Sequence, residues 1–169
     1  KARGVRADSS AVDEWFGKRN EVPSFRSLVE GGLVVDTIEV ASTWKHLVNI
    51  YDAVTKSLSE VPGMLSATAH TSHAYRSGAN LYFTFVAKPD TPESMVDVYR
   101  DCWARAMRAT LDHNGGIAHH HGIGRVRRDY LASEIGDTGI AVLSQIKRAL
   151  DPDWLLNPGN LLPEPTDLK

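Results

Sequence analysis

At 169 residues, with 42% hydrophobic and 24% charged side chains, the chain has the balance of one globular domain with enough apolar material for a core. A formal net charge of -2 leaves no surplus of Lys and Arg for nucleic acid or an anionic membrane surface, and no apolar run approaches the ~20 residues of a membrane-spanning helix. Cys102 is the single cysteine, so an internal disulfide is excluded and a buried thiol in a reducing, cytoplasmic setting is expected.

The first residues lack the apolar core of a secretory signal, and the chain opens at Lys1 rather than Met, so further sequence upstream is expected. Residues 10–20 (SAVDEWFGKRN) join a capping serine to early acids and late bases, the charge order that complements a helix dipole. SFRSLVEGG after Pro23 predicts another helical turn or two, closed by Gly31 and Gly32. LVVDTIEVA, residues 33–41, alternates and is rich in β-branched side chains, the pattern of a strand. Ser42 is placed to cap a helix from Thr43 to about Ser59, with Trp44, Leu47, Val48, Tyr51, Val54 and Leu58 at helical spacing and Pro62-Gly63 as its stop. MLSATAHTSHAY and ANLYFTFVA predict a hairpin that turns at Arg76, Ser77 and Gly78.

Thr91 and Pro92 open a helix to about His113, whose Met95, Val98, Cys102, Trp103, Ala106 and Ala109 form one apolar stripe. A glycine-flanked histidine loop follows, then one or two helices between Arg125 and Leu150, then a tail, DPDWLLNPGNLLP, that cannot continue a helix. Strand, helix, two strands, helix is the order of an α+β fold of ferredoxin-like type, an antiparallel sheet covered on one face by helices.

The segment NGGIAHHHGIGRVRR carries the strongest chemical signal. Three consecutive imidazoles lie between Gly115-Gly116 and Gly122-x-Gly124, a frame that permits a tight backbone path. An unperturbed imidazole titrates near pH ~6.5, so such a cluster can move protons near neutrality. Three adjacent side chains are expected to share no single direction, with at most two entering one pocket. Imidazole is also a common zinc ligand, but the neighbours here are Gly, Ile and Arg rather than carboxylate or thiolate. A second cluster, AHTSHAYRSGANLYF, sets His70, His73, Tyr75 and Tyr82 on or beside the hairpin. Leu81, Phe83 and Phe85 share one face of the strand, so Tyr82 faces the other way, where a phenol can relay protons. Arg26, Arg125, Arg127 and Arg128 offer forks for carboxylate or phosphate, although each taken alone reads as a solvated surface arginine.

NGGIAHHHGIGRVRRDYL together with LDPDWLLNPGNLLP closely resembles the C-terminal region of alkylglycerone-phosphate synthases and their bacterial FAD-linked oxidase relatives. SFRSL, DTIEVASTW and SHAYRSGANLYFTF extend the resemblance over nearly the whole chain from about residue 15. The resemblance implies a FAD-binding half that is not visible here and, in this chain, a cap half lying over the flavin ring. On that plan residues 1–32 are a helical connection, 33–113 the α+β substrate domain, and 114–169 the histidine loop with C-terminal helices and tail. It further implies that Tyr82, His120 and His121 are catalytic and that Arg26 binds substrate, with His119 completing the motif on the substrate side. FRSL departs from the aspartate expected after that arginine in close synthases.

The relatives that oxidise 2-hydroxy acids carry GDGNLH and EHGIG, whose histidine and glutamate help hold a divalent metal. Here Tyr82 and His120 stand in those two places, so no metal ligand is assigned. The activity implied is exchange of acyl for alkyl on dihydroxyacetone phosphate, with a lipid-like substrate and the flavin in a non-redox role. The alternatives are FAD-dependent oxidation of a small 2-hydroxy acid or alcohol and, in another class, a non-catalytic metal-binding or interaction module. A cap without its partner half is expected to expose apolar surface and to self-associate, as a homodimer for example.

Overall fold

The computed structural model describes residues 8–21 and 24–162. In chain order they form α1 (Ser10–Lys18), α2 (Arg26–Glu30), β1 (Val34–Thr43), α3 (Leu47–Ser59), β2 (Met64–His70), β3 (Gly78–Ala87), a 3-10 turn (Pro92–Ser94), α4 (Met95–Asp112) and α5 (Gly124–Leu150). The predicted order of strand, helix, two strands and helix is present. Parts of the expected N-terminal connection (1–7 and 22–23) and of the tail (163–169) lie outside the described residues.

β3 is the central strand, antiparallel to β1 on one side and to β2 on the other. Side chains on a strand alternate between faces, and here the two sets are sharply different. Val34, Ile38 and Val40 of β1 and Leu81, Phe83 and Phe85 of β3 are buried against Ile50, Val54 and Leu58 of α3 and Cys102, Ala106 and Met107 of α4. The other face carries Thr37 and Glu39 of β1, Asn80, Tyr82 and Thr84 of β3, and Thr68 and His70 of β2. This is the α+β sandwich that the element order predicts.

Gly78 permits the close approach of β3 to the end of β1, since a Cβ there would lie 1.9 Å from the Ser42 carbonyl oxygen. In a ferredoxin-like sheet a fourth strand would continue beside β1. Gly116 begins that pairing, as Ala41 and Gly116 exchange both backbone hydrogen bonds at 3.2 and 2.8 Å, and then the chain leaves into the histidine loop.

Three local expectations are corrected. β1 runs on to Thr43, so Ser42 lies in the strand, donates its hydroxyl to Asn114 O at 3.0 Å and caps nothing. The buried stripe of α3 is Leu47, Ile50, Val54 and Leu58, whereas Trp44, Val48 and Tyr51 are exposed. Both stripes obey helical spacing, and the sheet underneath selects between them. The serine at the start of α1 makes no side-chain cap, and Asp8 Oδ1 accepts from Ser10 N–H instead.

α5 is interrupted at Gly136 (φ 72°, ψ 169°), which makes it two helices end to end, and it stops at Leu150 as Pro152 requires. Asp151 then gathers the tail. Its carboxylate accepts the N–H groups of Leu155 and Leu156, each at 3.0 Å, and the Lys147 ammonium. The bond from Lys147 holds this carboxyl below its ordinary range, with the two amides adding to it against the opposing effect of burial. A depressed carboxyl stabilises above its unfolded pKa and loses that contribution as pH falls through the folded value. The Leu155 and Leu156 amide resonances should therefore shift together at a midpoint below about pH 3.9, and Asp151→Asn should abolish that titration in an NMR series.

Cys102 is buried and its thiol is pushed up to about 11 by that burial, with the Asp101 charge adding to it. It is an inert core thiol, as expected. Among the described residues no helix is long and apolar enough to cross a membrane.

Candidate active site

The site lies on the helix-free face of the sheet, and register builds it. Glu39 of β1 is directly opposite Tyr82 of β3, which is in turn opposite His70 of β2. Asn80, two residues before Tyr82, shares its face and reaches Glu39 diagonally. The chain bends at residues 119–121 and folds over this end of the sheet.

That bend overturns the expectation that only two histidines could share one direction. An extended segment alternates its side chains, but a bend sets successive ones on its concave side, and here all three converge on one carboxylate. His119 Nδ1 lies 3.2 Å from Glu39 Oε1, while His121 Nε2 and His120 Nε2 lie 3.1 and 3.6 Å from Oε2. His119 Nδ1 and His120 Nδ1 are 2.7 Å apart, and His119 Nε2 is 2.8 Å from the Tyr75 hydroxyl. The ring of His121 meets that of Tyr82 edge-on at 5.6 Å between centroids, and His70 flanks Tyr82 on the other side at 5.3 Å.

Glu39 is the centre of this arrangement. Burial pushes its carboxyl up, but the hydrogen bonds from Asn80 and His119 and the positive potential of His121 and His120 outweigh that, and it titrates below the ordinary carboxylate range. Asn80, fully buried, donates to Glu39 Oε1 at 2.5 Å and to Ser72 Oγ at 2.9 Å. Its own oxygen accepts from Thr71 Oγ1 and from the N–H groups of Ser72 and His73, at 3.1, 3.0 and 2.9 Å. One amide thus ties the buried carboxylate to the backbone that carries His73.

The histidine loop is anchored at both ends. Ile117 is buried and its N–H donates to Glu134 Oε2 of α5 at 2.9 Å. Arg127, also on α5, donates to Gly122 O at 3.1 Å and to Glu39 O at 3.4 Å, and its guanidinium lies 4.8 Å from the centroid of the Trp103 ring. The glycine frame does what the sequence suggested. Gly122 and Gly124 adopt positive φ, and a Cβ on Gly115 would come within 2.6 Å of Thr110.

Of the sequence-predicted residues, the structure brings together Tyr82, His119, His120 and His121, with His70, His73 and Tyr75 around them. His119 is wedged between Glu39 and Tyr75 with 15% of its side chain exposed, less than His120 at 53%. Arg26 stands apart on α2, with 81% of its side chain exposed and Glu30 as its ion-pair partner at 3.8 Å. The surface reading of Arg127 is corrected. It is 6% exposed because its fork bridges the loop to β1. Arg125 and Arg128 donate to Pro158 O and Gly159 O and hold the tail.

Three residues that organise the site, Glu39, Asn80 and Glu134, were not singled out by the sequence reading. A carboxylate alternating with Thr37 and Ala41 inside a β-branched strand was the available signal for the first. A groove of about 700 Å³ between α3 and α4 is lined by none of the predicted residues.

An antiparallel sheet with helices on one side and a titratable cluster of imidazoles, phenols and a carboxylate on the other defines an α+β domain with a polar site on its open sheet face. The family model described as FAD linked oxidases, C-terminal domain, matches residues 5–161. The chain belongs to that family. Alkyldihydroxyacetonephosphate synthase of Trypanosoma brucei brucei is 32% identical over 160 residues, covering 92% of this chain and 26% of that protein. The uncharacterized FAD-linked oxidoreductase YgcU of Escherichia coli strain K12 is 29% identical over 170 residues, covering 94% of this chain and 35% of that protein. A solved alkyldihydroxyacetonephosphate synthase superposes with a TM-score of 0.54 at 19% identity, covering 83% of this chain and 22% of that one, and supports the fold. The chain thus spans between a quarter and about a third of the length of these curated relatives.

Proposed function

We propose that this chain is the substrate-facing part of a FAD-dependent enzyme of the alkyldihydroxyacetonephosphate synthase type, exchanging acyl for alkyl on a dihydroxyacetone phosphate ester. The observation that carries the reading is the edge-on pair of Tyr82 and His121 beside buried Glu39, on the sheet face that no helix needs for the core. That face also carries Thr68, His70 and Thr84, polar and aromatic side chains in register beside Tyr82. FAD, when bound, supplies an electron sink.

The chain's own residues supply proton transfer. The Tyr82 hydroxyl donates to Thr37 Oγ1 at 3.0 Å, which fixes its direction. A proton taken up by His121 is charge-compensated by Glu39 at 3.1 Å. His121 is the better placed of the two candidate histidines because its ring, not that of His120, meets Tyr82. A substrate anion would have to approach from the α2 side to meet Arg26. The match to YgcU favours a second reading, an FAD-linked oxidoreductase in which the same imidazole accepts the proton of a substrate hydroxyl.

Residues 1–32 serve as the connection to the flavin-binding part, 33–113 as the substrate domain and 114–169 as the loop, C-terminal helices and tail. The exposed Trp15 and Phe16 of α1 and the exposed Leu150, Leu155 and Leu156 support apposition against further protein, either the flavin-binding part or a second copy. The single buried thiol suits the cytoplasm.

The test uses the longer protein that contains the flavin-binding part. Tyr82→Phe and His121→Asn should each lower turnover by about 100-fold or more with flavin content, read from its absorbance, unchanged. Wild-type turnover in both variants would overturn the reading. Release of fatty acid on adding a long-chain alcohol, without bleaching of the flavin, distinguishes the exchange from oxidation of a hydroxy acid.

A further inference from the structure

One histidine of the open sheet face is left out of the cluster around Glu39. His119, His120 and His121 are turned to that carboxylate, and His73 Nδ1 is 2.9 Å from Ser72 Oγ. His70, at the end of β2, is exposed and packs its ring against Tyr82 at 5.3 Å between centroids and 34° between planes. Among the described residues it has no hydrogen-bond or ion-pair partner, so both ring nitrogens are open to a ligand.

The row beside it is made of hydroxyls. Thr68 of β2 is opposite Thr84 of β3, which is opposite Thr37 of β1. The Thr37 oxygen accepts from Tyr82, whereas the Thr68 and Thr84 hydroxyls have no partner among the described residues. His70 is diagonal to Thr84, a separation of about 7–8 Å that an aromatic side chain bridges. β2 and β3 contain no acid, and Asp36 of β1 points to α4, so Glu39 is the only carboxylate that the strands place on this face. It lies two strands from His70, about 10 Å away at the usual strand spacing, and its charge already faces three imidazoles. Open donors with no acid beside them form a place for an anion.

We propose that His70, Thr68 and Thr84 bind the phosphate of the substrate, an inference that rests on the proposed function and deepens it. Strand spacing sets the substrate class. His70 is one strand from Tyr82, about 4.8 Å. In a dihydroxyacetone phosphate ester four bonds separate the ester-bearing carbon from phosphorus, an extended span of about 5 Å at roughly 1.5 Å per bond. That carbon therefore lies over Tyr82 and His121 while the phosphate meets His70. A 2-hydroxy acid carries its carboxylate on the reacting carbon, about 1.5 Å away, and cannot reach both. The site selects substrates whose anionic group is several bonds from the carbon that reacts.

The test uses the flavin-loaded longer protein. His70→Gln, at an exposed position, should raise KM for an acyl-dihydroxyacetone phosphate by about 10-fold or more, the loss of a hydrogen bond to a charged group, while kcat and the KM for the long-chain alcohol change by less than about 3-fold. Thr68→Val and Thr84→Val should each raise the same KM about 3-fold. Binding is read without turnover by carbethoxylation with diethyl pyrocarbonate and peptide mass spectrometry. Inorganic phosphate should slow modification of His70 and leave that of exposed His73 unchanged. An unchanged KM in His70→Gln, or phosphate protection of His119, His120 and His121 in place of His70, would overturn the proposal. Protection of His70 in a protein that exchanges nothing would uphold the anion site and sink the exchange reading, whereas exchange with His70 unprotected and KM unaltered would do the reverse.

Discussion

Asn80→Ala is expected to lower the unfolding free energy by at least about 3.5 kcal/mol, the lower sum of one charge-assisted bond at about 1.5–3 and four part-buried bonds at about 0.5–1.5 each. The residue is fully buried and serves five partners, so its removal strips Glu39 Oε1 of its strongest donor and frees residues 71–73. The midpoint of urea unfolding should fall with little change in slope. Combining Asn80→Ala with Glu39→Leu should cost less than the sum of the two, because the buried charge that Asn80 satisfies is then gone. Full additivity would mean that the amide and the carboxylate are not energetically coupled.

The second large effect is expected at Arg127. Burial lowers the pKa of this guanidinium, and the charges of Asp36 and Glu39 work against that. Asp36 is itself held by the Tyr99 hydroxyl at 2.9 Å and Trp103 Nε1 at 3.2 Å, so cation, ring and carboxylate form one unit under the loop. Arg127→Ala removes the cation and leaves two carbonyls without their donor, a loss of about 1.5–3 kcal/mol for each hydrogen bond from a charged group. Arg127→Lys should recover little of it, since an ammonium cannot reach both Gly122 O and Glu39 O or stack flat on Trp103. Guanidinium unfolding gives the magnitude, and the near-ultraviolet signal of Trp103 reports whether the stacked geometry is lost. A fully stable Arg127→Ala protein would refute this account.

How far the sequence led can be judged from particular residues. Tyr82 was readable because alternation in ANLYFTF fixes its face without knowledge of any other element. The stripe of α4 was readable for a similar reason, since one set of residues dominated the pattern. α3 was readable in part: Leu47, Val54 and Leu58 of the expected stripe are buried, but Trp44, Val48 and Tyr51 fitted the same period and only the position of the sheet leaves them exposed. Arg127 shares its helical row with Ile123 and buried Leu131, a signal of burial that the run RVRR disguised as a charged patch.

The convergence of the three histidines was beyond sequence reasoning. It depends on a bend at 119–121 and on a carboxylate that lies 80 residues earlier in the chain. Pairings of that separation leave no local periodicity to detect.

The stretch from Gly116 to Gly122 is gripped at one end by β1 through Ala41 and at the other by α5 through Arg127, with Glu134 of α5 holding Ile117 next to the first grip. Strand and helix are themselves fixed by the core, so the span between the two grips is a constant of the fold. An inserted or deleted residue there would force one grip to release and would rotate every following imidazole away from the carboxylate. The number of residues in this stretch is therefore as much a part of the site as their identity.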